Sequence, residues 1–206
     1  MDITVVVEII KILPNLVWAA VVVSLILAFY RPIRHELIPR MTGIKALGVE
    51  ATFVKNELER LAESKPTGTK ENRDQVARRA EKIAKTIEGG RILFVNDIPD
   101  EMRHVISILK SLGMSVEIAT STAQALLQLT SKAYDVVISD MSRNNIGDEG
   151  LRFLNETIKL GIARPTIFTV GHYEPERGVP PFAFGITNRV DELLNLVFDA
   201  FERVRG

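Results

Sequence analysis

The chain has no cysteine, and its 206 residues include only three histidines. The missing cysteine excludes a disulfide-stapled secreted domain, a cysteine metal site and a catalytic thiol. The histidines, His35, His104 and His172, are scattered and do not have the spacing of a zinc site. A glycine-rich phosphate loop is also missing, because Gly89 and Gly90 follow a helical pattern and not a strand.

The chain also has no excess of either charge, since 26 basic residues balance 26 acidic ones. This balance argues against a polybasic nucleic-acid binder, so we expect no nucleic-acid partner. A hydrophobic content of 46% argues against a disordered chain. The neutrality is an average over three regions: residues 1–30 carry a net −1, residues 31–90 a net +4 and residues 91–206 a net −3. We treat them as a predicted anchor, a predicted linker and a predicted folded domain.

The first region contains a long apolar run. Residues 16–30 have no ionisable side chain before Tyr30, and extension back to Ile12 gives about 19 residues, near the length that crosses a bilayer. Trp18 and Tyr30 lie towards the two ends, as interfacial aromatic residues often do. The run therefore predicts a single transmembrane helix within residues 1–30.

The charges that flank this run predict its orientation. Arg31, Arg34 and Arg40 follow the run, whereas only Lys11 precedes it. The positive-inside rule then places the C-terminal body in the cytoplasm, and we expect a single-pass protein of the inner membrane. A cleavable signal peptide is the main alternative, but the run lacks a basic segment before it and a small-x-small cleavage site after it. A buried core helix is the other alternative, and it fits less well because the run is apolar on all sides.

The linker, residues 31–90, contains two helical patterns separated by a break at Lys65–Thr69. The second helix is predicted to begin at a cap formed by Asp74 and to end at Gly89-Gly90. Each helix has a narrow apolar stripe, which either pairs two copies into a homodimer or packs locally on the C-terminal domain. The stripe residues are Val54, Leu58 and Leu61 in the first helix and Val76, Ala80, Ile83 and Ile87 in the second.

From residue 91 onwards, strand and helix patterns alternate. The predicted strands are 91–95, 114–119, 134–139, 166–170 and 184–187, and the predicted helices are 100–112, 121–129, 148–160 and 191–204. Strict alternation predicts an α/β domain with a parallel sheet and helices on both faces. The segment 172–181 holds three prolines, so we expect no full helix between the last two strands.

Polar side chains follow the predicted strands. Asn96 and Asp97 come after the first strand, Asp140 after the third and Thr169 near the end of the fourth. Ligands gather outside the carboxyl ends of parallel strands, so these side chains should meet in one pocket. Two carboxylates repel each other unless they share a cation, and oxygen ligands suit Mg²⁺. A divalent ion would also help a carboxylate to attack a phosphoryl group.

The segments ILFVNDIPDE, YDVVISDM, DEGLRFL, PTIFTVG and GITNRVDELLNLV occur in this order between residues 91 and 205. In order and spacing they resemble the receiver domain of bacterial two-component response regulators. The resemblance implies a flavodoxin-like, doubly wound, five-stranded parallel sheet over residues 91–206. One transmembrane helix and a helical linker would precede it.

The resemblance also implies roles for individual residues. Asp140 matches the phospho-acceptor, and Thr169 matches the hydroxyl residue that contacts the phosphoryl group. Asp97 and Asp140 would bind Mg²⁺, together with Asn96, which stands where the family usually has a second acid. The backbone carbonyl of Met141 would complete the predicted metal ligands.

Two positions depart from the family pattern. Asn188 stands where the family has a lysine, and an amide cannot form the ion pair that this lysine makes with the phosphoryl group. The neighbouring Arg189 should point elsewhere on an extended strand. The loop after Asp140 also lacks the proline that the family usually has there.

Together these features indicate a membrane-anchored signal-transduction protein with a cytoplasmic receiver-like domain. We expect protein–protein contacts with a histidine kinase or a downstream effector, and no enzyme activity beyond self-catalysed phosphorylation and dephosphorylation of Asp140. Two alternatives stay open from the sequence. One is a pseudo-receiver scaffold that works without phosphorylation, and the other is a nucleotide-sensing membrane effector.

Overall fold

The computed structural model describes Trp18, residues 52–63 and residues 65–206. The predicted membrane span, residues 16–30, lies outside the described residues apart from Trp18, and so does most of the first half of the linker. No helix in the described part of the chain is both long enough and apolar enough to cross a membrane. The anchor therefore stays a prediction from the sequence.

Five parallel strands form one sheet in the order β2-β1-β3-β4-β5. The strands are β1 (Arg91–Val95), β2 (Ser115–Ala119), β3 (Val136–Asp140), β4 (Thr166–Thr169) and β5 (Gly185–Thr187). All five were predicted, with boundaries that differ by at most two residues. The alternation of strands and helices therefore predicted the sheet correctly.

Six helices accompany the sheet. They are α1 (52–61), α2 (Lys70–Ile87), α3 (Arg103–Ser111), α4 (Thr122–Ser131), α5 (Glu149–Lys159) and α6 (Val190–Arg205). The helix predicted from residue 100 instead opens with a 3₁₀ turn, Pro99–Met102, because Pro99 lies at its start. Between β4 and β5 the only helical element is the 3₁₀ turn Pro175–Arg177, which confirms the expected absence of a full helix there.

Both faces of the sheet are covered, because alternate residues of each strand point to opposite sides. Ile92 and Phe94 of β1 belong to the larger core, which also contains α3 and α6 residues. Leu93 and Val95 belong to a smaller core with residues of α4 and Phe153 of α5. All four β1 side chains are fully buried, as expected for a parallel sheet covered on two faces.

The linker helices α1 and α2 pack on the same core. Leu58 and Val76 are fully buried, and both belong to one apolar cluster with Phe198 and Phe201 of α6. These stripe residues therefore pack locally on the C-terminal domain. The described linker residues lie in one compact unit with the sheet.

The start of α2 corrects one prediction. Thr69, and not Asp74, is the N-cap, and its hydroxyl oxygen accepts a hydrogen bond from the Asn72 amide at 3.3 Å. Asp74 instead pairs with Lys55 of α1 at 2.9 Å. The sequence pattern placed the cap too late because α2 begins directly after the Lys65–Thr69 break, with polar residues in its first turn.

Candidate functional site

The register of the sheet brings the predicted site residues together. Asp140 at the end of β3 is the direct neighbour of Thr169 on β4, and Thr169 is the neighbour of Thr187 on β5. A cleft of about 750 Å³ opens at this edge of the sheet. Its lining includes five of the six predicted site residues: Asn96, Asp140, Met141, Thr169 and Asn188. Asp97, the sixth, lies beside the cleft and does not line it.

The Asp140 carboxyl lies half-buried in the cleft. Burial raises its pKa above the ordinary value, and the negative charge of Asp97 adds to this effect. The Arg143 guanidinium and the backbone amides of Met141 and Ser142 act in the opposite direction but do not cancel it. The neighbouring groups of the protein therefore offset only part of the cost of holding a negative charge on the Asp140 carboxylate.

The other predicted metal ligands already have partners within the chain. Asn96 is buried, and its side-chain oxygen accepts the Ile98 amide at 2.7 Å, which forms a turn directly after β1. An oxygen of Asp97 accepts the Asn144 amide at 2.8 Å. The Met141 carbonyl accepts the Gly150 amide at 2.9 Å. Each of these oxygens retains a second lone pair, so these bonds do not exhaust their acceptor capacity.

Gly150 explains how closely α5 approaches the site. A Cβ atom at this position would lie 2.9 Å from the Asp140 carbonyl oxygen and 3.0 Å from the Met141 Cα atom. Only glycine lets the first turn of α5 pack against the backbone that carries Asp140. The position of this backbone is therefore set by helix packing as well as by the sheet.

Arg143 is a site residue that sequence reasoning missed. It begins a tight hairpin in which Arg143 and Ile146 exchange backbone hydrogen bonds of 3.1 and 2.9 Å. Asn144 and Asn145 between them both have positive φ, a backbone conformation that asparagine tolerates better than most residues. The Asn-Asn pair was the available sequence signal for this hairpin, but an arginine in a loop is ordinarily expected in solvent.

The Arg143 side chain is only 1% exposed and lies beneath the site. Nη1 donates to the Ser139 hydroxyl at 2.6 Å and to the Asp140 carbonyl at 2.5 Å. Nη2 donates to the Thr122 hydroxyl at 3.1 Å and to the Glu149 carbonyl at 3.3 Å. Burial lowers the pKa of Arg143, and the negative charges of Glu149, Asp140 and Asp97 oppose that change. We call these contacts the Arg143 network.

Asn188 lies on the cleft, as predicted, but its neighbour does not behave as expected. Arg189 also lines the cleft, because it lies beyond the end of β5 and strand alternation does not apply to it. Its guanidinium is bound to Asp191 at 2.5 Å. The Thr187 hydroxyl is likewise engaged, since it donates to a carboxylate oxygen of Glu192 at 2.7 Å.

The oxygen donors at this edge suit Mg²⁺ in number and kind. No cluster of three or more acidic, histidine or cysteine side chains occurs in the described part of the chain. Mg²⁺, however, commonly takes only one or two protein carboxylates and completes its shell with water and phosphate oxygens. Asp97 and Asp140 provide two carboxylates, and the repulsion between them is one cause of the raised Asp140 pKa. A shared divalent cation would relieve this repulsion.

No protein-family model matches the chain, and neither does any curated protein. Several solved structures are similar. The receiver domain of Francisella response regulator 1452 is 19% identical, with a TM-score of 0.50 over 55% of this chain and 98% of that chain. Response regulator TrrA from Thermotoga maritima, solved with Mg²⁺-BeF, is 24% identical, with a TM-score of 0.47 over 54% of this chain and 98% of that chain. The chemotaxis regulator CheY4 of Vibrio cholerae is 22% identical, with a TM-score of 0.47 over 54% and 98%.

At these identities the likeness concerns the fold alone. The sheet order, the covering helices and the polar carboxyl edge are those of a five-stranded, flavodoxin-like α/β domain. The structural neighbours are receiver domains of response regulators. The described domain therefore has the five-stranded α/β fold that the Francisella receiver domain also has.

Proposed function

We propose that this protein is a membrane-anchored signal-transduction protein whose receiver-like domain is phosphorylated on Asp140 and acts through protein contacts. The observation that supports this proposal best is the carboxyl edge of the sheet. There the half-buried Asp140 carboxyl and the Thr169 hydroxyl lie at paired positions of adjacent strands and line one cleft. A histidine kinase or a downstream effector is the proposed partner.

Asp140 supplies the nucleophile in this proposal. One carboxylate oxygen forms a bond to the phosphorus of a phosphodonor, while the bond from phosphorus to the donor's leaving atom breaks; that atom is an imidazole nitrogen in a phosphohistidine and an oxygen in acetyl phosphate. Thr169, which lines the same cleft, would donate its hydroxyl hydrogen to an oxygen of the transferred group. Asp97 and Asp140 would hold Mg²⁺, with Asn96 and the Met141 carbonyl as further oxygen donors. When bound there, the ion would neutralise charge on the phosphoryl oxygens.

Mass spectrometry of the full chain tests the phosphorylation. After incubation with Mg²⁺ and acetyl phosphate, we expect the mass of one added phosphoryl group, lost in Asp140→Asn. Asp148→Asn is the matched control, because this acid is exposed at the start of α5 and does not line the cleft. A wild-type chain without the adduct, or an adduct that survives in Asp140→Asn, would contradict the proposal.

Fractionation tests the membrane anchor, which is proposed from the apolar run and the arginines that follow it. We expect the full chain to sediment with inner membranes and to resist extraction by high salt. Deletion of residues 1–30 should release the protein into the supernatant. A full chain that stays in the supernatant would contradict the anchor.

A pseudo-receiver scaffold is the second candidate, and two amides favour it. Asn96 and Asn188 provide neither negative charge for a metal ion nor positive charge for a phosphoryl group. In that case Asp140→Asn should support the same signalling output as the wild type, and no adduct should form. The cleft also has the volume of a small-molecule site, which favours nucleotide sensing as an alternative. Thermal unfolding of the full chain across a set of nucleotides distinguishes it, because only a nucleotide sensor should be stabilised.

A further inference from the structure

The cleft has three cationic side chains in its lining, and they differ in their partners. Arg177 is paired with Glu174 at 2.6 Å, and Arg189 is paired with Asp191 at 2.5 Å. Within the described part of the chain, Lys65 has no acidic partner. Its ammonium group contacts only the sulfur atom of Met102, at 3.8 Å, which does not neutralise its charge.

Lys65 belongs to the segment 65–69 between α1 and α2, which we call the linker turn. The Pro66 carbonyl accepts the Val190 amide at 3.2 Å, and the Gly68 amide donates to the Asp191 carboxylate at 2.7 Å. A Cβ atom at Gly68 would lie 2.5 Å from an oxygen of Asp191, so the turn approaches the start of α6 very closely. These contacts fix the backbone next to Lys65 against the edge of the cleft.

The cleft that Lys65 lines also holds neutral hydrogen-bond donors. Thr169 provides a hydroxyl and Asn188 a carboxamide in the same cleft, and both can donate hydrogen bonds. An unpaired ammonium group combined with such donors binds phosphate-like oxygens through charge-assisted hydrogen bonds. Arg189, just beyond β5, is already paired with Asp191, so the unpaired positive charge in the lining comes from Lys65.

We propose that Lys65 binds the oxygens of a phosphate-class anion in this cleft, so that occupancy of the site is coupled to the linker turn. This inference rests on the proposed function, in which the anion is the phosphoryl group on Asp140, but it also applies to free phosphate. Lys65 is a binding residue here, contributed by the linker and not by the sheet. Anion binding should tighten the turn, because the ammonium group and the Gly68 amide lie within four residues of each other.

Calorimetric titration of the full chain with inorganic phosphate tests the inference. We expect Lys65→Met to weaken phosphate binding by about tenfold or more, the effect of one charge-assisted hydrogen bond. Lys65→Arg should keep most of the affinity. Lys70→Met is the matched control, because Lys70 is exposed at the start of α2 and does not line the cleft. Thermal unfolding of each variant shows whether it is folded.

A second readout follows the turn itself. Saturating phosphate should slow hydrogen exchange of the Gly68 amide in the wild type and not in Lys65→Met. The inference is overturned if the wild type binds no phosphate, or if Lys65→Met binds it as tightly as the wild type. Binding that needs Lys65 without an Asp140 adduct supports the inference and contradicts phosphorylation. An adduct with unchanged phosphate affinity in Lys65→Met contradicts the inference alone.

Discussion

A buried charge lies on each of two sides of the cleft, and the two charges are stabilised differently. Arg143, beneath β3, and Asp191, at the start of α6, are each 1% exposed. Arg143 donates its hydrogen bonds to hydroxyl and carbonyl oxygens, and no carboxylate contacts it directly. Asp191 forms an ion pair with Arg189 and also accepts the Gly68 amide.

The different partners of Arg143 and Asp191 predict different consequences when each residue is replaced. The Arg143 network joins β3 to α4 and α5 through four hydrogen bonds from one guanidinium, so its loss would remove all four from a buried region. Asp191 holds the linker turn through the Gly68 amide, and its counterion Arg189 is partly exposed. The first side joins three elements of the domain, whereas the second joins the linker turn to the start of α6.

The largest effect is expected for Arg143→Met. The variant keeps an apolar stem but removes the bonds that the guanidinium donates to the Ser139 and Thr122 hydroxyls and to the Asp140 carbonyl. We expect it to lower the free energy of unfolding by about 3 kcal/mol, as for several buried hydrogen bonds to one charged group. Urea unfolding of the full chain measures it. A loss below about 1 kcal/mol would mean that relief from burying the charge offsets the missing bonds.

A smaller loss, about 2 kcal/mol, is expected for Asp191→Ala, because Arg189 can turn to solvent once its partner is removed. The effect should be local. Hydrogen exchange of the Gly68 amide should become faster, while the amides of β1 and β3 should exchange more slowly than Gly68, as in the wild type. Equal exchange at Gly68 in variant and wild type would show that Asp191 does not hold the turn.

Removal of the helix cap in the linker turn should have a still smaller effect. Thr69→Ala should cost about 1 kcal/mol, because Thr69 caps α2, whereas Asp74→Ala should cost less, because its pair with Lys55 is partly exposed. Comparison of the two unfolding midpoints checks the order. A larger loss of stability in Asp74→Ala than in Thr69→Ala would indicate that Asp74, and not Thr69, caps α2.

The smallest effect is expected at Asp140, on the side of the Arg143 network. Its folded-state pKa is raised, so the folded chain binds more protons than the unfolded chain at pH values just above the ordinary aspartate pKa. The contribution of Asp140 to stability should therefore fall as the pH rises from about 4 through the raised pKa and then level off. Asp140→Asn should remove this fall and be slightly more stable than the wild type at pH 7. Thermal unfolding between pH 4 and pH 7 measures the difference, and a wild-type stability that rises through this window relative to Asp140→Asn would contradict it.

Much of the sheet edge could be predicted because strand patterns are local. Asp140 and Thr169 each follow a short apolar run, and parallel strands always bring their carboxyl ends to the same edge. The same argument placed Asn96 at the cleft, whereas Asn188 was named from the resemblance to the receiver family. It could not show that the oxygens of Asn96, Asp97 and Met141 already accept backbone hydrogen bonds, since these come from turns and from the start of α5.

The packing partner of the linker helices could not be predicted from the sequence. Their apolar stripe was visible in the sequence, but a stripe does not identify its partner, and only the tertiary structure places Leu58 and Val76 on the domain core. The cap assigned to Asp74 was wrong for a related reason. The start of α2 depends on a turn held by α6, more than a hundred residues away.

The order of the elements, the parallel sheet and the polar residues at the strand ends follow from the sequence, because hydrophobic periodicity and strand alternation are properties of neighbouring residues. That Arg143 is buried beneath Asp140, and that Lys65 lies at the same cleft, is visible only in the folded domain. Both depend on packing between segments far apart in the chain, which no local pattern encodes.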